Sequence, residues 1–198
     1  MKFPYAMNDF GALIQDGYFY QDRTDRIPQL EEAGRQLIFI RPRRFGKSLL
    51  LSMLEHYYDV NRADQFEALF GKLAMGRNPT SRHNQYLVMK WDFSLVKAQG
   101  SLKEIETALH QHVNDRIAEF IDQYAARLPP VTLNPTDAVS SLERVCAAVQ
   151  RTDQRVYLLI DEYDNFANDV LMAGRNPADY KRLLYGEGEL KRLFKTVK

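Results

Sequence analysis

A single cysteine, Cys146, stands in the 198 residues, so no internal disulfide can form and nothing calls for an oxidising compartment. It shares helical spacing with Leu142, Val145 and Val149 and reads as a buried structural thiol. Net charge is nearly absent too: 27 Lys and Arg stand against 26 Asp and Glu, which leaves +1. No global field steers such a chain to nucleic acid or a membrane surface, and any anion site must be local. No apolar run approaches membrane-spanning length. The amino terminus M-K-F-P-Y-A-M-N-D-F has a proline and an acid where a signal peptide needs an apolar stretch, so the cytoplasm is the expected location. Four histidines offer no ligand set: His110 and His112 are two apart in a helical pattern and diverge, and His56 and His83 have no ligand neighbours in sequence.

The chain is otherwise ordinary for a globular protein, with 45% hydrophobic and 27% charged residues. Its length suits one domain, or one domain with a small appendage. What stands out is the stretch Gln36 to Leu54, Q-L-I-F-I-R-P-R-R-F-G-K-S-L-L-L-S-M-L. An apolar run, Leu37 to Ile40, is expected as a strand. It leads into a basic loop, Pro42-Arg43-Arg44-Phe45, then Gly46-Lys47-Ser48, then an apolar helical pattern from Leu49. Backbone N–H groups of such a loop and of the first helical turn form a donor array suited to phosphate oxygens. Arg43, Arg44, Phe45, Gly46, Lys47, Ser48 and Leu49 are the candidate nucleotide-binding residues. Lys47 would reach the outer phosphates and Ser48 would offer its hydroxyl to Mg²⁺. The first glycine of G-x-x-x-x-G-K-[ST] is missing: Arg41 occupies that place. Because Gly-Lys-Ser/Thr alone arises by chance in roughly one chain in ten of this length, its weight depends on a second motif.

Along the chain, Phe10, Leu13, Ile14 and Tyr18 suggest a short amphipathic helix, and Ile27, Leu30 and Ala33 another. Residues 1–35 are read as an N-terminal segment packing near the nucleotide site, and 36–198 as the core. Arg62 to Leu73 is expected to be a second short helix after the Leu49–Tyr58 stretch, and Gly76 to Thr80 a turn. Tyr86 to Phe93 reads as a strand. Ser101-Leu102-Lys103-Glu104 has the form of a capping box before a long helix that Pro129-Pro130 ends. Thr136 or Asp137 should cap a further helix reaching Gln150.

The second motif follows. Val156 to Ile160 is a continuous apolar run, as in a strand covered on both faces, and it ends in Asp161-Glu162-Tyr163-Asp164. Ligands of open α/β sheets bind at that edge. Asp161 would hold Mg²⁺ and Glu162 would orient and deprotonate an attacking water. The acids could instead cap the next helix, where negative charge is favourable by roughly 0.3–1 kcal/mol; Asp164 fits that use better than metal binding.

Arg41 to Leu54, Leu159 to Asp164 and, more weakly, Y-F-Y-Q-D-R-T at Tyr18 to Thr24 together resemble the bacterial and archaeal AAA-ATPase-like proteins, often fused to a C-terminal nuclease-like domain. In that family an arginine at the first-glycine position is usual, and lysine is usual where this chain has Arg23. The resemblance implies ATP and Mg²⁺ as ligands and a three-layer αβα P-loop NTPase fold with a mostly parallel central sheet. It also implies a further strand with a polar sensor residue after the helix containing Leu190 to Phe194, beyond this chain's last residue. The implied function is Mg-dependent ATP hydrolysis coupled to a partner domain or a macromolecule. A nucleotide-binding module without hydrolysis and a small-molecule kinase are the competing readings. Arg43, Arg44 and Arg175 are all conceivable arginine fingers. Pro177 to Tyr185 and Glu189 to Lys198 read as helical, with a basic face (Lys181, Arg182, Lys191, Arg192, Lys195, Lys198) that is a solvated surface or a nucleic-acid contact.

Overall fold

The computed structural model describes residues 1–42, 44–97, 99–172 and 192–193. Its contacts divide the chain into two compact units, Met1–Val88 and Met89–Lys198.

The first unit is helical. Helix α1, Phe10–Gln15, starts where the Asp9 carboxylate accepts the Ala12 N–H at 3.0 Å. Helix α2, Ile27–Glu32, carries Pro28 in its first turn, where a missing N–H costs nothing. Helix α3, Lys47–Tyr58, is the longest in this unit and buries Met53, Leu54, Tyr57 and Tyr58. A 3₁₀ turn, Val60–Gln65, leads to α4, Phe66–Phe70, and to the one-turn α5, Ala74–Arg77. Rings supply the core: Phe70 lies 5.0 Å from Phe10, 5.4 Å from Tyr57 and 5.2 Å from Phe66, centroid to centroid. Each such pair contributes about 0.5–1.5 kcal/mol beyond area burial, so Phe70 ties three elements at once.

Helix α1 docks on α3 at close range. The Phe10 N–H donates to Ser52 Oγ at 3.0 Å. A Cβ on Gly11 would come within 2.6 Å of His56 Nε2, so only glycine admits this approach. The tautomer of His56 follows from its partners. Arg62 donates through Nη1 to Nε2 at 3.0 Å, so the ring proton must sit on Nδ1, which donates to the Ser52 carbonyl at 2.9 Å.

Strand β1, Tyr86–Asp92, begins in the first unit and continues into the second, where it pairs in parallel with β2, Arg155–Asp161. Between them run α6, Leu102–Gln123, and α7, Ala138–Val149. The capping box forms as expected: Ser101 Oγ accepts the Glu104 N–H at 3.3 Å, and Glu104 Oε2 accepts the Ser101 N–H at 2.6 Å. Helix α6 buries Ile105, Leu109, Val113, Ile117 and Phe120 on one stripe, against which α7 packs with Leu142 and Val145. Helix α8, Tyr163–Met172, follows β2 and sets Phe166 6.3 Å from Phe93.

The mixed α/β class therefore holds, with corrections. Leu37 to Ile40 is not a strand: the segment has no regular structure, and Ile38 and Ile40 are 76% and 85% exposed. β-branched and apolar side chains favour a strand, but a strand exists only where neighbours accept its hydrogen bonds. Among the described residues the backbone of 37–40 has none. The sheet among the described residues has two strands rather than the several of a three-layer sandwich. Strand β2 is mostly half-buried, not covered throughout. The turn expected at Gly76 to Thr80 begins inside α5, because Asp22 and Thr24 supply acceptors for that helix's first N–H groups. The expected helix at Arg62 to Leu73 is broken into a 3₁₀ turn and α4. Arg43, Arg175, Pro177 to Tyr185, and Glu189 to Lys198 apart from Arg192 and Leu193 lie outside the described residues; Arg192 and Leu193 are helical, exposed and buried respectively.

Candidate functional site

The candidate residues fall in both units, and each group has its own local geometry. In the first unit, Gly46 precedes α3 with φ +76° and ψ +26°, a left-handed conformation that glycine adopts without strain. A Cβ there would meet nothing within 4 Å, so backbone shape rather than a crowding neighbour calls for glycine. The first intrahelical bond runs from the Leu50 N–H to the Gly46 carbonyl at 2.9 Å. The N–H groups of Lys47, Ser48 and Leu49 lie ahead of it, with no side-chain cap and no acid in the first turn. Lys47 instead adds positive charge to the positive end of the helix dipole. Among the described residues neither Arg44 nor Lys47 makes an ion pair. Arg44 is held at φ +66°, which costs a non-glycine residue roughly 1–2 kcal/mol. Arg44 and Phe45 are exposed, whereas Lys47, Ser48 and Leu49 are half-buried.

In the second unit, β2 delivers Asp161, only 8% exposed, and the chain turns at Glu162 with φ +55°. Asp161 Oδ1 accepts the Glu162 N–H at 3.0 Å. That N–H precedes α8, so Asp161 restrains the turn rather than capping the helix. Its Oδ2 has no hydrogen-bond partner among the described residues. The Glu162 carbonyl accepts the N–H groups of Asn165 and Phe166 at 3.1 and 3.4 Å, which makes Glu162 the entry residue of α8. Asp164 is exposed in the first turn, as helix-dipole complementarity favours. Non-glycine residues with positive φ are Ala6, Arg44, Asn84 and Glu162 among the described residues. Two of the four fall at the two candidate motifs, and such strain persists only where the surrounding structure over-determines the backbone.

The Asp22-Arg23-Thr24 segment has a structural task that local sequence did not reveal. Asp22 Oδ1 accepts the Thr24 N–H and hydroxyl at 2.9 and 2.8 Å, while Oδ2 accepts the Ala74 N–H at 2.8 Å. Thr24 Oγ1 then accepts the Met75 N–H at 3.2 Å. Burial pushes the Asp22 carboxyl up, but these donors and Arg77 outweigh it and hold the group below its ordinary value. Arg23, between the two clamped residues, is exposed. His110 is likewise structural: its Nδ1 accepts the Ala138 N–H at 3.0 Å. No group of three or more His, Cys, Asp or Glu gathers among the described residues, and none of their helices is long and apolar enough to cross a membrane.

A mixed α/β chain in which Gly-Lys-Ser opens a helix and Asp-Glu closes a parallel strand has the local features of a nucleotide-using protein. Residues 4–198 match the AAA-ATPase-like family, described as "Predicted AAA-ATPase", and the chain belongs to that family. It is 28% identical over 165 residues to an uncharacterized protein in the vnfD 5' region of Azotobacter chroococcum mcd 1. That stretch is 82% of this chain but 29% of the relative, so the chain spans less than a third of that protein's length. No solved structure matches.

Proposed function

We propose that the chain binds Mg-ATP and hydrolyses it, coupling nucleotide state to a partner domain or macromolecule. The observation that carries this reading is the open start of α3, where a left-handed glycine stands between the unpaired Arg44 and the uncapped N–H groups that begin at Lys47. The donor set fits a polyphosphate. Three backbone N–H groups and two cations offer charge-assisted bonds to anionic oxygens, and Gly46 leaves open the space that a Cβ would fill. Arg43, Arg44, Phe45, Gly46, Lys47, Ser48 and Leu49 form the binding loop in this reading. Ser48, in the first unit, and Asp161, in the second, would each offer an oxygen of the kind taken by Mg²⁺, a hard cation with hydroxyl and carboxylate ligands. Bound there, Mg²⁺ would neutralise charge on the phosphates. Lys47 would stabilise negative charge on the outer phosphate oxygens, and Glu162 would hold the attacking water and take its proton.

Residues 1–35 would pack beside the nucleotide loop, which the docking of α1 on α3 supports, and 36–198 would form the core of a three-layer P-loop NTPase fold. A C-terminal nuclease-like domain, or a separate protein, would be the partner. The cytoplasm is the proposed location. A second reading, nucleotide binding without turnover, draws on one observation: the Glu162 N–H already occupies Asp161 Oδ1. Phosphate release from ATP, with and without Mg²⁺, alongside calorimetric binding, separates the two. Mg-dependent release that Glu162→Gln abolishes supports hydrolysis. Saturable binding with no release supports the second reading, and no binding of either form refutes both.

A further inference from the structure

The second unit carries a cleft that the nucleotide reading does not use. Its volume is ≈ 230 Å³; one wall is Pro130, Val131 and Thr132, the floor is Ala147 and Ala148 of α7, and Arg144 and Arg151 stand at the rim. We propose that it docks a short acidic peptide, whose carboxylates pair with Arg144 and Arg151 while its apolar side chains lie on the alanine floor.

The wall is rigid before any ligand arrives. Pro129, Pro130 and Pro135 fix φ along the segment. Asn134 fastens its far end, donating its N–H to Ser141 Oγ at 2.9 Å and accepting from Asn114 Nδ2 at 2.9 Å. Arg144 Nη1 donates to the Thr132 carbonyl at 2.9 Å, which fixes the guanidinium while leaving its other N–H groups for a ligand. Preorganisation of this kind lowers the entropy lost on binding.

Charge selects the occupant. Arg144, Ala147, Ala148 and Arg151 recur at the spacing of one helical stripe, and among the described residues neither arginine has a carboxylate partner. Arg144 lies in α7 and Arg151 in the turn just after its cap Gln150; at roughly helical rise their backbones are about 10 Å apart. An extended or polyproline-type peptide rises about 3.1–3.4 Å per residue, so acids three positions apart match that separation. The N–H groups of Val131 and Thr132 donate to no protein acceptor among the described residues and remain for the peptide backbone. Nucleic acid fits less well, because single strands need aromatic faces for base stacking and the lining has none.

The test is amide NMR on the full chain, titrated with the capped hexapeptide Val-Glu-Pro-Val-Glu-Val, its Gln-for-Glu counterpart, and a thymidine oligonucleotide. Shifts at 131–132 and 144–151 are expected from the Glu peptide. An exposed ion pair is worth about 0.2–1 kcal/mol, so Arg151→Gln should weaken binding roughly 1.5- to 5-fold. Among the described residues the Arg151 side chain makes no hydrogen bond or ion pair, so thermal stability should stay unchanged. Arg144→Gln with Arg151→Gln should weaken binding on the order of tenfold. The proposal is overturned by any of four results: no perturbation at millimolar peptide, equal binding of the Gln peptide, shifts at 46–49 instead, or tighter binding of the oligonucleotide at these residues.

Discussion

Helices α3 and α7 are both twelve residues long, yet their amino ends are treated in opposite ways. At α7 the donors are used up inside the protein. His110 Nδ1 accepts the Ala138 N–H, and Asp137 Oδ1 accepts those of Val139 and Ser140 at 3.0 and 3.2 Å. At α3 no side chain accepts any of the first N–H groups, and a lysine replaces the acid that would complement the dipole. At the end of α3 those donors have no protein acceptor among the described residues, and aromatic packing around Tyr57 and Phe70 holds the helix.

The largest effect that sharpens this contrast concerns turnover. Glu162→Gln should lower ATP hydrolysis by about 10²–10⁴-fold and leave Mg-ATP affinity within a few-fold. Asp161→Asn should in addition remove the Mg²⁺ dependence of binding. Equal, mild effects of the two substitutions in paired phosphate-release and calorimetric assays would return both acids to a role in shaping the turn before α8.

Next comes Lys47→Ala. A hydrogen bond to a charged group contributes about 1.5–3 kcal/mol, which predicts a roughly 10- to 100-fold loss of Mg-ATP affinity with the melting temperature unchanged or slightly raised. Asp137→Ala should do the reverse. Loss of an N-cap costs about 0.5–2 kcal/mol, or a few degrees in melting temperature for a chain of this size, and nucleotide affinity should not change. If both substitutions altered stability alone, the difference between the two helix ends would be one of degree.

The smallest effect is a pH dependence. Burial depresses the pKa of His56, with the Ser52 hydrogen bond opposing it, and burial also depresses that of His112, beside Arg116. The unfolded chain then binds more protons than the folded one. The stabilisation is fully present above about pH 6.5, the unfolded histidine value, and declines as the pH falls towards the folded values. Denaturant titrations between neutral pH and pH 5 should show stability falling. His56→Gln should flatten that slope, and an unchanged slope would show that His56 takes up its proton without disturbing Ser52 and Arg62.

What was legible in the sequence was local. The Ser101 and Glu104 box, the Asp137 cap and the Gly-Lys-Ser helix start each depend on residues within one turn, and all three form. What was not legible depends on distant partners. Asp22 meets the Ala74 N–H across 52 positions, and His110 meets the Ala138 N–H across 28. Leu37 to Ile40 shows the same limit from the other side: apolar character without neighbouring strands leaves the segment irregular and exposed. The positive φ of Arg44 and Glu162 had no sequence signal, since neither residue type favours it.

Amide NMR of the full chain titrated with Mg-ATP distinguishes an open end of α3 that receives phosphate from a closed end of α7 that does not. The predicted result is saturable shifts at Gly46, Lys47, Ser48 and Leu49, with Val139 and Ser140 unmoved. Saturable shifts at the start of α7, or none at Gly46 to Leu49 while ATP binds elsewhere, would contradict it.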